Sequence, residues 1–311
     1  MINDCAFVGE TLLKYFPPDI EKHHIKRSRG VWSKTFGIAY NIMRSKADVY
    51  HAHYLLQDCY ITERLGKHPL IGHAHGSDLR VSLRHSAWKR IVRHNLKHCD
   101  KVLVSTPDVL GLARAFRADA DYLPNPVDTN IFYPKPLVAH DGKMRVLIAS
   151  SAWIAKGTDI IIHALGELRD KVEASMITYG VDYAQMLALA RSLNLQINTL
   201  PRLTHDNIRE YYWNADLILD QFRCGAVGNV FLEAIACGRP AIGYVSSEYP
   251  EYEKLPLKDI NSSEKIVKAI ENVKDLTDLW KTQYDYLKAE HDVNAIVKKT
   301  LELYEELCSI E

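Results

Sequence analysis

The segment from Ala215 to Val245, ADLILDQFRCGAVGNVFLEAIACGRPAIGYV, narrows the possible folds more than any other part of the chain. Leu217, Ile218 and Leu219 make a short run apolar on both faces, as a strand buried in a parallel sheet requires. Gly225 and Gly228 open a loop in which backbone can approach a ligand closely. From Asn229 to Cys237 apolar side chains recur at helical spacing, in Val230, Phe231, Ala234, Ile235 and Cys237. Gly238 stands where a helix is capped, and Pro240 prevents its continuation. Ala241 to Val245 then resumes as a strand. Strand, glycine loop, helix and strand in succession predict an α/β sheet with parallel strands.

Glu233 is the anomaly on that helix, a carboxylate among Leu232, Ala234 and Ile235. A helix N-terminus after glycines favours an anion through its free amides and dipole. A carboxylate about one turn further in is placed to accept hydroxyls from a sugar joined to such an anion. A solvated helix glutamate has the same spacing.

Gly228, Glu233-Ala234 and Ala236-Cys237-Gly238-x-Pro240 together resemble the nucleotide-sugar motif of the GT-B glycosyltransferases, specifically glycosyltransferase family 4. The usual form has two glutamates separated by seven residues. The resemblance implies that Glu233 holds the nucleotide ribose, with Gly225, Gly228 and Asn229 completing that side of the donor site. Gly225 occupies the place of the first glutamate, which normally touches the donor sugar.

The chain has 311 residues, which makes two domains the natural expectation. It is 47% hydrophobic and 25% charged, with no apolar run long enough to span a bilayer and no basic-then-apolar leader. Its six cysteines are scattered without a C-x-x-C, and read as reduced cytosolic thiols rather than a disulfide frame or zinc site. Net charge is zero, yet residues 1–135 hold 20 Lys and Arg against 13 Asp and Glu, a net +7 balanced by −7 in the rest. That asymmetry predicts an N-terminal half facing something anionic.

In the N-terminal half, Val8-Gly9 leads into a helix-like segment from Glu10 to Phe16 that Pro17-Pro18 stops. Family-4 enzymes usually place an apolar strand before such a loop, and none is evident. Lys22 to Lys34 is a basic run containing Trp32, either a solvated loop or a patch for an anionic ligand or lipid. Asp48 to Ala52 and Pro69 to His73 read as strands carrying two H-A-H units, His51 with His53 and His73 with His75. Alternation puts His51 and His53 on one face. No carboxylate or cysteine completes a known metal spacing, so the histidines are placed instead at the ends of adjacent parallel strands, where α/β sheets bind ligands. Both units resemble family features, which implies that His75 lies near the reacting sugar and that His53, His75 and Asp78 face the acceptor. Residues 80–101 form a second basic segment, with Trp88 on its apolar side, that could lie on a membrane or pack on its own core.

Asn125, Val127, Asp128 and Phe132 resemble the N-x-V-D-x-x-x-F junction between family domains. Beyond it, Met144 to Ala149 reads as a strand and Lys156-Gly157 precedes a helix from about Thr158 to Leu168. A lysine beside a helix N-terminus suits a diphosphate. The family's G-R-x-x-x-x-K-G segment is similar, which implies that Lys156 and Gly157 bind the donor diphosphate. Ser150 and Ser151 replace the glycine and arginine, leaving Arg202 or Arg223 to supply the second cation. A strand within Gln196 to Leu203, a helix from Asp206 to Asn214, a helix capped near Asn261 to Glu264, and a last helix from Val293 to Cys308 complete the pattern. The G-x-G-x-x-G dinucleotide fingerprint is absent, against hydride transfer.

The resemblance therefore implies a GT-B protein, with two Rossmann-like α/β domains whose parallel sheets face across a cleft. Residues 1–137 are expected to bind the acceptor, joined by the helix within 293–311, and residues 138–292 the nucleotide sugar. The expected reaction is a retaining, metal-independent hexosyl transfer from a nucleoside-diphosphate sugar to a glycan, lipid-linked or small-molecule acceptor. His75, Lys156 and Glu233 are the catalytic candidates, and no cofactor, metal or nucleic acid is expected. A cytoplasmic location follows, with the basic segments peripheral on the membrane's inner face. A GT-B nucleotide-sugar epimerase, or a non-catalytic sugar-nucleotide-binding relative, is the alternative.

Overall fold

A computed structural model describes residues 1–4, 7–27, 36–140, 142–273 and 275–309. Two units form: Met1–Pro126 with His291–Glu311, and Val127–Glu290.

The first unit is built on β1 (Tyr50–His53), β2 (Leu70–Ala74), β3 (Lys101–Val104) and β4 (Asp121–Tyr122), all parallel in the order β1-β2-β3-β4. Helices α1 (Val8–Tyr15) and α2 (Ile38–Arg44) precede β1, and α3 (Gln57–Arg64), α4 (Ser86–His98) and α5 (Leu110–Arg114) connect the strands. Alternation along the strands sorts the core into two layers. Leu70, Ala74, Val102 and Val104 pack with Ile38, Ile42, Val92 and Leu96 on one face. Ile71 and Leu103 point the other way, against Val8, Leu12, Val293 and Ile296. The strand expected before the α1 loop is reduced to one residue. Ile2 bridges Ala52 in parallel, donating its N–H to His51 O at 2.8 Å and accepting from His53 N at 3.0 Å.

The second unit has β5 (Met144–Ile148), β6 (Val172–Ile177), β7 (Ile197–Leu200), β8 (Leu217–Leu219) and β9 (Ala241–Ile242), parallel in the order β7-β6-β5-β8-β9. Chain order runs outward both ways from β5. The loops after β5 and β8 therefore diverge to opposite faces, which opens a crevice at the carboxyl ends of those strands. Helices α6 (Thr158–Glu167), α7 (Tyr183–Ser192) and α10 (Ser263–Asn272) cover the face of Val146, Ile148, Leu217 and Leu219. Helices α8 (Arg209–Asn214), α9 (Asn229–Ala236) and α11 (Leu276–Glu290) cover the other, where Leu147 and Ile218 point. Helix α12 (Val293–Cys308) belongs to the first unit.

One expectation is revised. The boundary falls after Pro126, not after residue 137, because Val127 and Phe132 are buried in the second unit's core with Tyr212 and Phe231. Helix α11 was not foreseen, since Gln283, Tyr284 and Tyr286 take inward positions usually filled by aliphatics; Gln283 bonds both the N–H and the C=O of Ala241. The Cys59 and Cys99 thiols, distant in sequence, meet at 3.4 Å between α3 and the end of α4, and both are free.

Arg239, the variable residue of the A-C-G-x-P motif, is 1% exposed. Its guanidinium donates to the carbonyls of Ala215, Lys135, Gly238 and Trp213 at 2.7–3.0 Å, so it ties the entering segment to the start of β8. Burial lowers its pKa from the usual arginine value. Arg239→Ala leaves these carbonyls unpaired and is expected to cost about 3 kcal/mol or more of second-unit stability, read from the denaturant midpoint. A loss below about 1 kcal/mol would contradict this role.

Candidate functional site

In the second unit the structure gathers the sequence candidates at the ends of β5 and β8. After β5 the chain makes a short turn, Ile154–Lys156, and enters α6 through Gly157. Gly157 has φ +85°, and a Cβ there would lie 3.0 Å from the Cβ of Phe222, so neither the backbone nor the space admits a side chain. Phe222 N donates to Lys156 O at 2.7 Å, locking this turn to the loop after β8. Lys156 Nζ has no hydrogen-bond or ion-pair partner among the described residues. Arg223 is anchored beside the same turn, donating to Ile154 O and to Asp159 Oδ2, each at 2.6 Å. Arg202 instead lies exposed over the Tyr179 ring at 4.2 Å. Of the two proposed second cations, Arg223 is the one at Lys156's turn, its charge shared with Asp159. Ser150 is inside the sheet, its hydroxyl donating to Asp220 O at 3.3 Å.

The glycine loop is braced from below. Gly225 has φ +67° and its carbonyl accepts from Ser246 N at 3.0 Å. Val227 N donates to the Tyr252 hydroxyl at 3.1 Å, and Gln221 Nε2 to Ala226 O at 2.8 Å. Gly228 caps α9 with extended backbone and Asn229 begins the helix. Helix α9 thus presents its first amides at the end of β8. Glu233 is buried, its Oε2 accepting from the Tyr212 hydroxyl at 2.8 Å and its Oε1 lying 3.0 Å from His205 Nε2. It is no solvated helix glutamate. Burial and the Glu233 charge hold the Tyr212 phenol well above its ordinary pKa, so it stays a donor.

Sequence reasoning missed His205 and Tyr212, whose bond to Glu233 is invisible in local spacing, and Asp220. Asp220 sits at the carboxyl end of β8, where a Gly228 Cβ would come within 2.5 Å of its Oδ2. Oδ2 is buried with no hydrogen-bond partner among the described residues. Burial pushes its carboxyl up to about 6, against the pull of Lys156. An acid ending an apolar strand was the available signal.

In the first unit the four histidines form one stack on the sheet face that carries α1 and α12. Ring centroids lie 4.4 Å apart for His73 and His75, 4.8 Å for His51 and His53, and 5.1 Å for His53 and His75. His51 Nδ1 lies 2.8 Å from the Tyr304 hydroxyl and its Nε2 3.1 Å from His73 Nδ1; His53 Nδ1 and His75 Nε2 are 2.9 Å apart. If Tyr304 donates to His51, the hydrogen on His51 Nε2 serves His73. Nitrogens of His51, His53 and His73 fall within 4.8 Å of one another, close enough for a metal ion. Their planes are 13–30° apart and all three rings are buried. His75 is the partly exposed member, beneath Tyr54. His53 is enclosed, its Nε2 2.8 Å from where a Gly9 Cβ would be. Asp78, expected to face an acceptor, is fully buried and accepts from Leu55 N at 3.0 Å, which ties the turn after β1 to the loop after β2.

The first basic run is described only as far as Arg27; Trp32 and Lys34 lie outside the described residues. Lys22 donates to Phe16 O, Lys26 pairs with Glu10, and Arg27 pairs with Asp58, so these cations serve the fold. In the second segment Arg80 pairs with Asp108 and Lys101 with Asp121, whereas Arg84, Arg90, Arg93 and Lys97 are exposed.

Residues 131–288 match the family model described as glycosyl transferases group 1. The chain belongs to that family. A relative, the N-acetyl-alpha-D-glucosaminyl L-malate synthase of Bacillus anthracis, is 20% identical over 226 residues, 67% of this chain; the aligned part is 59% of that relative's length. Among solved structures, the sucrose-phosphate synthase of Thermosynechococcus elongatus superposes with a TM-score of 0.75 at 16% identity, covering 98% of this chain and 92% of its own. Anabaena HepE in complex with UDP and glucose gives 0.74 at 16% identity, covering 96% and 89%. This group 1 chain therefore has the GT-B fold.

Opposite acid responses follow for the two units. Burial depresses all four stacked histidines, His73 to about 3, so their contribution is present above pH 6.5 and lost as pH falls. Asp220, raised to about 6, contributes below pH 3.8 and loses it as pH rises through about 6. Asp78, also raised to about 6, offsets part of the histidine loss. Between pH 6.5 and 4.5 His73 alone should cost the first unit roughly 2 kcal/mol. Amide exchange is expected to show protection falling in β1–β3 but not in β5 and β8. Equal change in both sheets would contradict the assignment.

Proposed function

We propose that the protein is a family-4 glycosyltransferase, moving a sugar from a nucleoside-diphosphate sugar to an acceptor with retention of anomeric configuration. One observation carries this reading: the Lys156-Gly157 turn, the α9 N-terminus and the braced Glu233 converge at the carboxyl ends of β5 and β8. A diphosphate there meets a lysine and free helix amides, while Glu233 accepts the ribose hydroxyls. A carboxylate has about four acceptor sites, and Tyr212 and His205 use two. As the glycosidic bond breaks, charge grows on the diphosphate, and Lys156 with the amides beyond Gly228 stabilises it without a metal ion. The complexes of Anabaena HepE with UDP and with UDP-glucose support a donor of this class.

On the acceptor side, His75, the partly exposed histidine of the stack, contacts the acceptor. His53 acts through it by their mutual hydrogen bond. The acceptor is a glycan, a lipid-linked sugar or a small molecule. The exposed cations of α4 favour an anionic membrane surface as the place where it is met, with each cation near such a surface worth about 1 kcal/mol. No helix among the described residues is long and apolar enough to cross a membrane.

Two variants test the donor site. Glu233→Ala is expected to weaken nucleoside-diphosphate binding by roughly 1.5–3 kcal/mol in a calorimetric titration, with the fold retained. An unchanged dissociation constant would remove the ribose role. Lys156→Ala should lower kcat by more than it weakens nucleoside-diphosphate binding, because its charge matters most as the bond breaks. Product formation equal to wild type would move the phosphate role to Arg223. Product formed without any acceptor, as an epimerised nucleotide sugar, would replace transfer by the epimerase reading.

A further inference from the structure

Helices α3 and α4 carry a side-chain cluster that the donor and acceptor chemistry does not use. His94 and His98 are four residues apart on α4, so both project from one face of the helix. Their rings lie 4.2 Å apart between centroids, 27° from parallel. Glu63, in the last turn of α3, reaches across with Oε2 at 2.7 Å from His94 Nε2. One ligand atom from each of the three residues falls within 4.8 Å of the others. The helices beneath are fixed to each other: Asn95 Nδ2 donates to Leu56 O at 2.9 Å, the Tyr60 ring meets His94 edge-on at 4.9 Å, and the Cys59 and Cys99 thiols touch one turn deeper.

We infer that Glu63, His94 and His98 form a binding site for a borderline divalent transition-metal cation such as zinc, which would clip α3 to α4. A helical His-x-x-x-His pair offers two imidazole nitrogens on one face, and a carboxylate from a second helix supplies the third ligand. Two nitrogens and one oxygen suit zinc, nickel or copper(II), whereas magnesium and calcium prefer oxygen ligands throughout. The cation replaces the hydrogen now shared by His94 and Glu63 and holds the same pair together. His98 is exposed, so its ring is free to turn from the stacked position into coordination, and water fills the remaining positions. The buried stack of His51, His53 and His73 differs in this respect, as its rings are enclosed by the sheet and helices and have no such freedom. The site is separate from the Lys156 and Glu233 region, so it stands whether or not the donor assignment holds.

The test is calorimetric titration of the full chain, stripped with EDTA and dialysed, with zinc chloride, alongside melting curves with and without zinc. One zinc per chain with micromolar affinity is expected, together with a raised Tm and no response to magnesium or calcium. His98→Ala, on an exposed side chain, is expected to fold as wild type and to weaken zinc binding at least tenfold, as is Glu63→Gln. No zinc binding by the wild type would overturn the proposal. Wild-type affinity in His98→Ala would also overturn it, by assigning the zinc to the buried histidine stack or a cysteine.

Discussion

The carboxylate of Glu233 is buried inside an otherwise apolar helix, and it is tolerable there because Tyr212 and His205 satisfy its oxygens. That arrangement requires α8 and the loop before it to pack against α9, and this in turn requires the buried Phe132 to wedge beside His205 and Tyr212. Arg239 holds the segment just beyond Phe132 in place through backbone carbonyls. A single polar group thus organises one end of the second unit. Its oxygens keep lone pairs for a further ligand while its position is fixed from behind.

Around this anchor the sheet order determines what meets what. Because β5 lies between β6 and β8, the loops after β5 and β8 start side by side and bring Lys156 to the glycine loop. Gly157 makes the contact possible by leaving Phe222 room. Asp220 complicates the electrostatics, as an acid beneath Gly228 competes with any anion for the same amides when ionised. Burial raises its pKa, which favours the neutral form and lessens that competition. The first unit uses burial in the other direction. Its stacked histidines are kept neutral, and neutral imidazoles can share hydrogens along a line from Tyr304 to His73.

Much of this was legible in the chain. The strands and helices of the second unit follow their apolar runs, with Gly238 ending α9 at φ +83°. The alternation of His51 and His53 onto one face was readable too. Three kinds of feature were not. Partners distant in sequence, such as His205 and Tyr212 for Glu233, leave no trace in local spacing. Helix α11 hid because Gln283 and Tyr286 do the work of aliphatics by hydrogen bonding and ring packing. Basic runs look alike whether solvated or engaged, and only the fold separates Arg27, paired with Asp58, from the exposed Arg90. Asp78 misled for a related reason: a polar residue after a strand can turn inward to satisfy backbone as readily as outward to a ligand.

The central claim is that the second unit recognises a nucleoside diphosphate carrying a sugar. Thermal melting of the full chain against a panel of nucleoside-diphosphate sugars, the matching nucleoside diphosphates and the free sugars tests it most directly, since a ligand that binds only the folded state raises Tm. The account requires at least one base to give a saturable rise with both its diphosphate and its diphosphate sugar, and none with the free sugar. No response to any nucleoside diphosphate, at concentrations up to millimolar, would contradict it.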